Sequence, residues 1–134
     1  MQPNQASRAR VEPLLRVADR DMETAETLLK HSPHLYESIG FSCQQAVEKY
    51  AKAVLIARGR PAPFTHVLVK LPLVQDAIVT LDAAEMNAAA VLQDFAVEWR
   101  YETDNGPSYS SDQLVAMTRP FRPKLRPLAV LFLT

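Results

Sequence analysis

Residues 41–53 read FSCQQAVEKYAKA, and they lie at the centre of the pattern that decides the fold. Apolar residues recur in steps of three and four around them, at Tyr36, Ile39, Cys43, Ala46, Val47, Tyr50, Val54 and Ala57. This spacing places the apolar side chains on one face of an α-helix. Gly59 suits a left-handed cap, and Pro61 and Pro63 prevent continuation, so we predict a helix over about 35–58.

The segment before this helix shows the same periodicity. Its apolar residues are Leu14, Val17, Ala18, Met22, Ala25, Leu28 and Leu29. Pro13 fits the first position of a helix, where its missing N–H costs nothing, and Ser32-Pro33 ends the pattern near His31. We therefore predict a helix from Pro13 to about His31, preceded by a loose tail over residues 1–12.

Three shorter helices are predicted downstream, and no convincing strand is found. The first begins at His66 after a Thr65 cap and buries Val67, Leu68 and Leu71. The next is capped by Asp82 and runs to about Trp99. The third covers about 109–118, after a turn at 104–107. The fold class expected from these elements is all-α.

The C-terminal segment is apolar but rich in proline. Pro120, Pro123 and Pro127 make an uninterrupted helix improbable in an otherwise apolar stretch that ends in Leu128–Leu133. We expect an extended segment that lies in a groove, either on its own domain or on a partner. The chain is thus interpreted as one domain, 1–134, with a core over about 14–118 and a Pro-rich extension over 119–134.

The composition limits the classes of function. The chain has 134 residues, 48% of them apolar, which is typical of one globular domain. It has 15 basic and 15 acidic side chains, so its net charge does not indicate a polyanion partner. A single cysteine, a polar N-terminus and the lack of a bilayer-length apolar run favour a cytoplasmic protein without a membrane segment. Only 3 glycines and no phosphate-loop motif are present, so no cofactor is expected. His31 and His34 lack a ligand set at metal spacing, so no metal is expected.

Four motifs in order carry a resemblance to the HEPN family. The stretch 18–25 looks like the first helix of that family, and 41–53 is similar to its "QQA-EK-LKA" second helix. Residues 65–68 resemble its "TH-L" segment, and 99–101 resemble the "RY" that ends its fourth helix. The resemblance covers about 14–118 and implies an up-and-down bundle of four to five helices, usually a homodimer. It also implies association with nucleotidyltransferase partners in prokaryotic two-component systems.

In many members the resemblance also implies metal-independent RNA cleavage by an Arg and a His that are separated by four to six intervening residues. If Arg100 matches the Arg, the positions for the His hold Asn105, Gly106 and Pro107. None of these exchanges a proton near neutral pH. Catalysis is therefore not expected. The alternative is a ribonuclease in which Arg100 stabilises phosphate and Tyr101 or His66 replaces the His, although tyrosine, with a pKa of about 10, is a poor base.

Arg100, Tyr101 and His66 are candidates for binding nucleotide, RNA or a partner. Arg100 offers a planar fork for phosphate, and Tyr101 offers a ring for base stacking. The structural alternatives are ion pairs from Arg100 to neighbouring acids and packing of Tyr101. His66 at a helix start is either a neutral acid–base residue or a capping histidine.

The polar positions of the second helix give three further candidates, Gln45, Lys49 and Lys52. The lysines would meet phosphate while Gln45 reads a base edge. The alternative, which charged residues usually satisfy, is a solvated face with a Glu48–Lys52 pair. Cys43 lies on the apolar side and is expected to pack as a small hydrophobe.

The sequence thus favours a non-catalytic HEPN module in a prokaryotic toxin–antitoxin-like or stress system. Its partner would be a nucleotide, an RNA or a nucleotidyltransferase protein. A third interpretation is a structural assembly module whose apolar C-terminal end docks on another protein.

Overall fold

The computed structural model describes residues 5–60, 80–96 and 109–130, with side chains from Ala9 onward. Five α-helices and one 3-10 turn at Gln93–Phe95 lie in these ranges, and no described residue belongs to a strand. The helices are α1 (Gln5–His31), α2 (Tyr36–Ala57), α3 (Ala83–Leu92), α4 (Ser111–Thr118) and α5 (Phe121–Val130). The predicted all-α bundle is confirmed. The short helix expected from His66 lies outside the described residues.

The first helix is longer than its sequence indicated. α1 begins at Gln5, so the prediction of a loose tail is wrong for residues 5–12, and Pro13 lies inside the helix. Val11 is 1% exposed and Leu15 is 3% exposed, which shows that the turn before and the turn after Pro13 both pack on the core. Burial of these side chains offsets the backbone hydrogen bond that the proline removes.

The second helix is the centre of the bundle. α2 spans 36–57, close to the predicted 35–58, and is buried on most of its circumference. Its C-terminus ends as predicted, with Gly59 at φ 75°. The N–H of Gly59 donates to the carbonyl of Ile56 at 3.0 Å, and the N–H of Arg60 donates to that of Leu55 at 2.8 Å. These two bonds form a Schellman motif, which satisfies carbonyls that the helix leaves open.

A close approach between α2 and the 3-10 turn depends on Gly40. A Cβ atom at this position would overlap the ring of Phe95, which is 3% exposed. The same ring meets Tyr36 edge to face, with centroids 5.3 Å apart and planes at 70°. Gly40 and Tyr36, one turn apart on α2, therefore form the seat for Phe95 in the core.

Both α3 and α4 begin with a capping box. The carboxylate of Asp82, the predicted cap, accepts from the N–H of Glu85 at 2.7 Å, and Glu85 accepts in return from the N–H of Asp82 at 2.8 Å. Ser110 and Gln113 repeat this arrangement at α4. Each cap satisfies helix-terminal donors that would otherwise lack partners. The predicted end of α3 near Trp99 lies outside the described residues.

The C-terminal segment corrects a second prediction. Residues 121–130 form α5 rather than the predicted extended segment, and the helix packs on its own domain against α2. Phe121, Leu125 and Ala129 are 2%, 0% and 0% exposed. Pro123 lies in the first turn, where no helical hydrogen bond is lost, so only Pro127 interrupts the bonding. Burial of apolar side chains at every fourth position therefore stabilises the helix more than Pro127 destabilises it.

The helices run up and down. Asp19 meets Tyr50 and Asp21 meets Lys49, so α1 and α2 are antiparallel. Glu26 meets Arg119 and Asp19 meets Arg126, so α1 and α5 are antiparallel as well. Within the ranges that the structure describes, no helix has the length and apolar character needed to cross a membrane.

Candidate binding site on the second helix

Five polar side chains of α2 form a continuous band, called here the polar seam: Gln44, Gln45, Glu48, Lys49 and Lys52. Gln44 is 0% exposed and Glu48 is 4% exposed, and the other three are half-buried. The interpretation of these residues as a solvated face is therefore wrong. The Glu48–Lys52 pair that accompanied it is confirmed, with Nζ 3.3 Å from Oε2.

Hydrogen bonds join the polar seam into one chain. Lys49 Nζ donates to Gln45 Oε1 at 2.5 Å, and Gln45 Nε2 donates to Gln44 Oε1 at 2.6 Å. Gln44 Nε2 then donates to Glu48 Oε1 at 3.0 Å, and the other oxygen of Glu48 meets Lys52. Because lysine has only donors, Lys49 fixes which end of the Gln45 amide faces it, and this choice sets the orientation of Gln44. The seam is thus preorganised.

One end of the polar seam reaches α1 at Asp21. Lys49 Nζ lies 3.3 Å from Asp21 Oδ2, within ion-pair distance, but that buried oxygen accepts no well-directed hydrogen bond. Burial raises the pKa of Asp21, and the charge and hydrogen-bonding capacity of Lys49 offset this only in part. The charged form of Asp21 is therefore disfavoured by burial and is stabilised by few hydrogen bonds.

The chemistry available at the polar seam is hydrogen-bond donation from fixed cations. Lys49 has three N–H groups and two described neighbours, so a donor remains for a ligand. Lys52, whose side chain is 16% exposed, also keeps donors beyond Glu48. Asp21 and Glu48 offset the two positive charges. The seam therefore suits a small anionic or polar group better than a long polyanion.

The remaining predicted site residues fall outside the described ranges. Arg100, Tyr101 and His66 are among them, so whether they meet the polar seam stays a prediction. His31 and His34 are described and exposed. The described residues contain no group of three or more His, Cys, Asp or Glu side chains that could hold a metal ion.

A second polar cluster, centred on Asp19, was not singled out from the sequence. Tyr50 Oη donates to Asp19 Oδ1 at 2.6 Å, and Arg126 Nε lies 3.1 and 3.0 Å from its two oxygens. Arg122 Nε approaches to 3.4 Å. Burial alone would raise the pKa of Asp19, but the hydrogen bonds and the arginine charges outweigh it, so this pKa is lowered. Burial and the bond to Asp19 raise the pKa of Tyr50.

An open groove of about 530 Å³ lies beside this cluster, between α1 and the start of α5. It is lined by Asp19, Met22, Glu23, Glu26, Arg119, Arg122 and Pro123. Arg119 spans one end and binds both oxygens of Glu26, at 2.6 and 2.9 Å. The arginines at 119, 122 and 126 are spaced by three and four residues, which would place them on one face of a helix. The prolines between them argued against a helix, so this groove was not predicted from the sequence.

Cys43 lies under the α4–α5 junction, close to Thr118. It is 0% exposed, which confirms its predicted role as a small core residue. Burial raises the pKa of its thiol to about 11, with smaller effects from a Thr118 hydrogen bond and from the charges of Glu26 and Arg119. The buried thiol is therefore protonated near neutral pH and unreactive.

The bundle and the polar seam define a class: an all-helical domain whose central helix carries a buried, ordered polar band. The family model of the HEPN domain matches residues 11–118, and the chain belongs to the HEPN family. No curated protein and no solved structure matched the chain in the corresponding comparisons. The match ends at Thr118, so α5 lies beyond it.

Proposed function

We propose that this chain is a HEPN binding module that recognises a nucleotide or a short RNA segment without cleaving it. The polar seam carries the proposal, because Lys49 and Lys52 are held by hydrogen bonds and keep donors for phosphate oxygens. Fixed side chains lose less conformational entropy on binding than mobile ones. Gln45 would contact a base edge beside them.

Arg100, Tyr101 and His66 complete the proposed site. Arg100 would hold phosphate and Tyr101 would stack on a base, and both functions require binding only. The absence of a histidine at 105–107, the positions that would match the family's His, supports a module that does not cleave RNA. In this proposal the protein acts as a homodimer in the cytoplasm, within a prokaryotic toxin–antitoxin-like or stress system.

A protein partner of the nucleotidyltransferase type is the second candidate. The equal numbers of acidic and basic residues, 15 of each, support it, because a neutral chain gains little from a long polyanion. No residue is assigned to the binding surface for this protein partner. Nucleotide binding is therefore the candidate that can be tested by point substitution.

Calorimetry with ATP and with a short single-stranded RNA tests the proposal on the wild-type chain, Lys49→Gln and Lys30→Gln. Lys30→Gln removes the same charge from an exposed position of α1. We expect Lys49→Gln to weaken binding about ten-fold or more, since it removes a charged donor, and Lys30→Gln to leave it unchanged. Circular dichroism checks that each variant is folded.

The same samples, incubated with RNA in the absence of metal, should leave it intact. Cleavage that is lost in Arg100→Ala would overturn the non-catalytic assignment and establish the ribonuclease alternative. A flat titration of folded wild-type protein with both ligands would instead exclude the nucleotide assignment and leave the protein partner.

A further inference from the structure

The last helix is attached to the bundle by a narrow apolar stripe. Phe121, Leu125 and Ala129 are its buried residues, and they repeat every four positions along α5. Most other positions of the helix are exposed or half-buried. A stripe of three side chains, one of them alanine, gives α5 less apolar burial than α2 has.

Ion pairs supply the rest of the attachment, and each joins α5 or the α4–α5 junction to another helix. Arg119 binds Glu26 of α1, Arg126 binds Asp19 of α1, and Lys124 Nζ lies 2.5 Å from Glu85 of α3. The side chains of Arg119 and Glu26 are 54% and 41% exposed. Exposed ion pairs contribute little individually and are screened by salt.

The backbone of α5 contributes less to its own stability than that of an ordinary helix. It has 10 residues, and isolated helices shorter than roughly 12–15 residues are marginal in water. Pro127 has no N–H to donate to the carbonyl of Pro123. The helix therefore depends on its contacts with the bundle.

We propose that α5 is a releasable strap, which undocks together with Arg119 about the Thr118–Arg119 junction while the other helices stay folded. Opening breaks the ion pairs to Asp19, Glu26 and Glu85 and uncovers the side of α2 that holds Cys43 and Tyr50. Salt favours the open form, because it screens the ion pairs and leaves the uncharged apolar stripe unscreened. The strap controls access to this side of α2.

Labelling of Cys43 by an aromatic disulfide reagent measures the opening, because the sequence has 1 cysteine and it is buried under the junction. The variants are Glu26→Gln, which breaks the pair with Arg119, and Glu23→Gln as the matched control. Glu23 carries the same charge one turn earlier in the same groove and pairs with no described side chain.

We expect Glu26→Gln to label roughly two- to five-fold faster than wild type at low salt, as for the loss of an exposed ion pair. Sodium chloride at high concentration should speed labelling of the wild type and of Glu23→Gln, and should have less effect on Glu26→Gln. Equal labelling rates for Glu26→Gln and Glu23→Gln would overturn the proposal.

Hydrogen exchange gives a second, independent measurement. Amides of 121–130 should exchange faster than those of α2, and raised salt should increase the difference. If both helices exchange at the rate of global unfolding, α5 is part of one cooperative unit and is not a strap.

Discussion

The helices α2 and α5 pack against each other, yet the chain specifies them in different ways. α2 has 22 residues, an unbroken backbone and a Schellman cap, and most of its circumference is buried. α5 has 10 residues and an internal proline, and it is held by one apolar stripe and by ion pairs. Local sequence and tertiary contacts agree in α2, whereas in α5 tertiary contacts override the local preference. The bundle thus combines a self-consistent central helix with a dependent outer one.

Deletion of residues 119–134 should produce the largest change in stability and tests this contrast directly. The remaining chain should stay helical, because α2 keeps its contacts with α1, α3 and α4. Its free energy of unfolding should fall by about 3–6 kcal/mol, the burial lost by Phe121 and Leu125. Urea denaturation followed by circular dichroism measures both quantities. Complete loss of helical signal would show that α5 and α2 belong to the same cooperative unit.

A smaller effect is expected from the ion pairs that hold α5, and it depends on pH. The pKa of Asp19 is lowered in the folded protein, so its contribution to stability is present above the unfolded value near 3.9 and is lost as pH falls through the folded value. Asp19→Asn should cost about 1 kcal/mol at pH 7 and should reduce the loss of stability between pH 6 and pH 3. Urea denaturation at both pH values provides the comparison.

Asp21→Asn is the matched control, because burial shifts the pKa of Asp21 in the other direction. An acid with a raised pKa in the folded state stabilises that state as pH falls. Asp21→Asn should therefore increase the loss of stability between pH 6 and pH 3, whereas Asp19→Asn should reduce it. If the two variants change the slope in the same direction, the assigned environments of these carboxylates are wrong.

The smallest effect concerns the proline inside α5. Pro127→Ala restores a donor for the carbonyl of Pro123 and should stabilise the protein by about 1 kcal/mol. The gain is less than the roughly 3 kcal/mol of a helix interior, since proline also restricts the unfolded chain. Pro123→Ala, in the first turn, should change stability little. Thermal unfolding of both variants tests this, and equal shifts would contradict the distinction.

Most of the described fold follows from local sequence signals. Apolar residues in steps of three and four located α1 and α2, and the turn signal at 104–107 preceded the predicted α4. Asp82 and Gly59 marked helix ends that the structure confirms. The start of α1 and the whole of α5 were missed because proline rules describe the isolated backbone. At Pro13 and Pro127 the loss of one hydrogen bond is smaller than the gain from burying neighbouring apolar residues.

The candidate site was predictable only as a set of residues. Gln45, Lys49 and Lys52 were identified as polar positions of the second helix, but their half-buried, hydrogen-bonded state was not predicted. Polar residues are assigned to the surface by their chemistry, and only the packing of α2 at the centre of the bundle places Gln44 and Glu48 inside. The Asp19 cluster joins residues more than 100 positions apart, which no local pattern reveals.

The seat of Phe95 on Gly40 links two positions that are distant in the chain. Because a Cβ at 40 would occupy the volume of the ring, neither position can change freely while the other is kept. Related sequences should therefore show correlated substitution, with glycine at 40 accompanying an aromatic residue at 95, and a larger residue at 40 accompanying a smaller one at 95. In a library randomised at both positions, these two combinations should be enriched among folded clones.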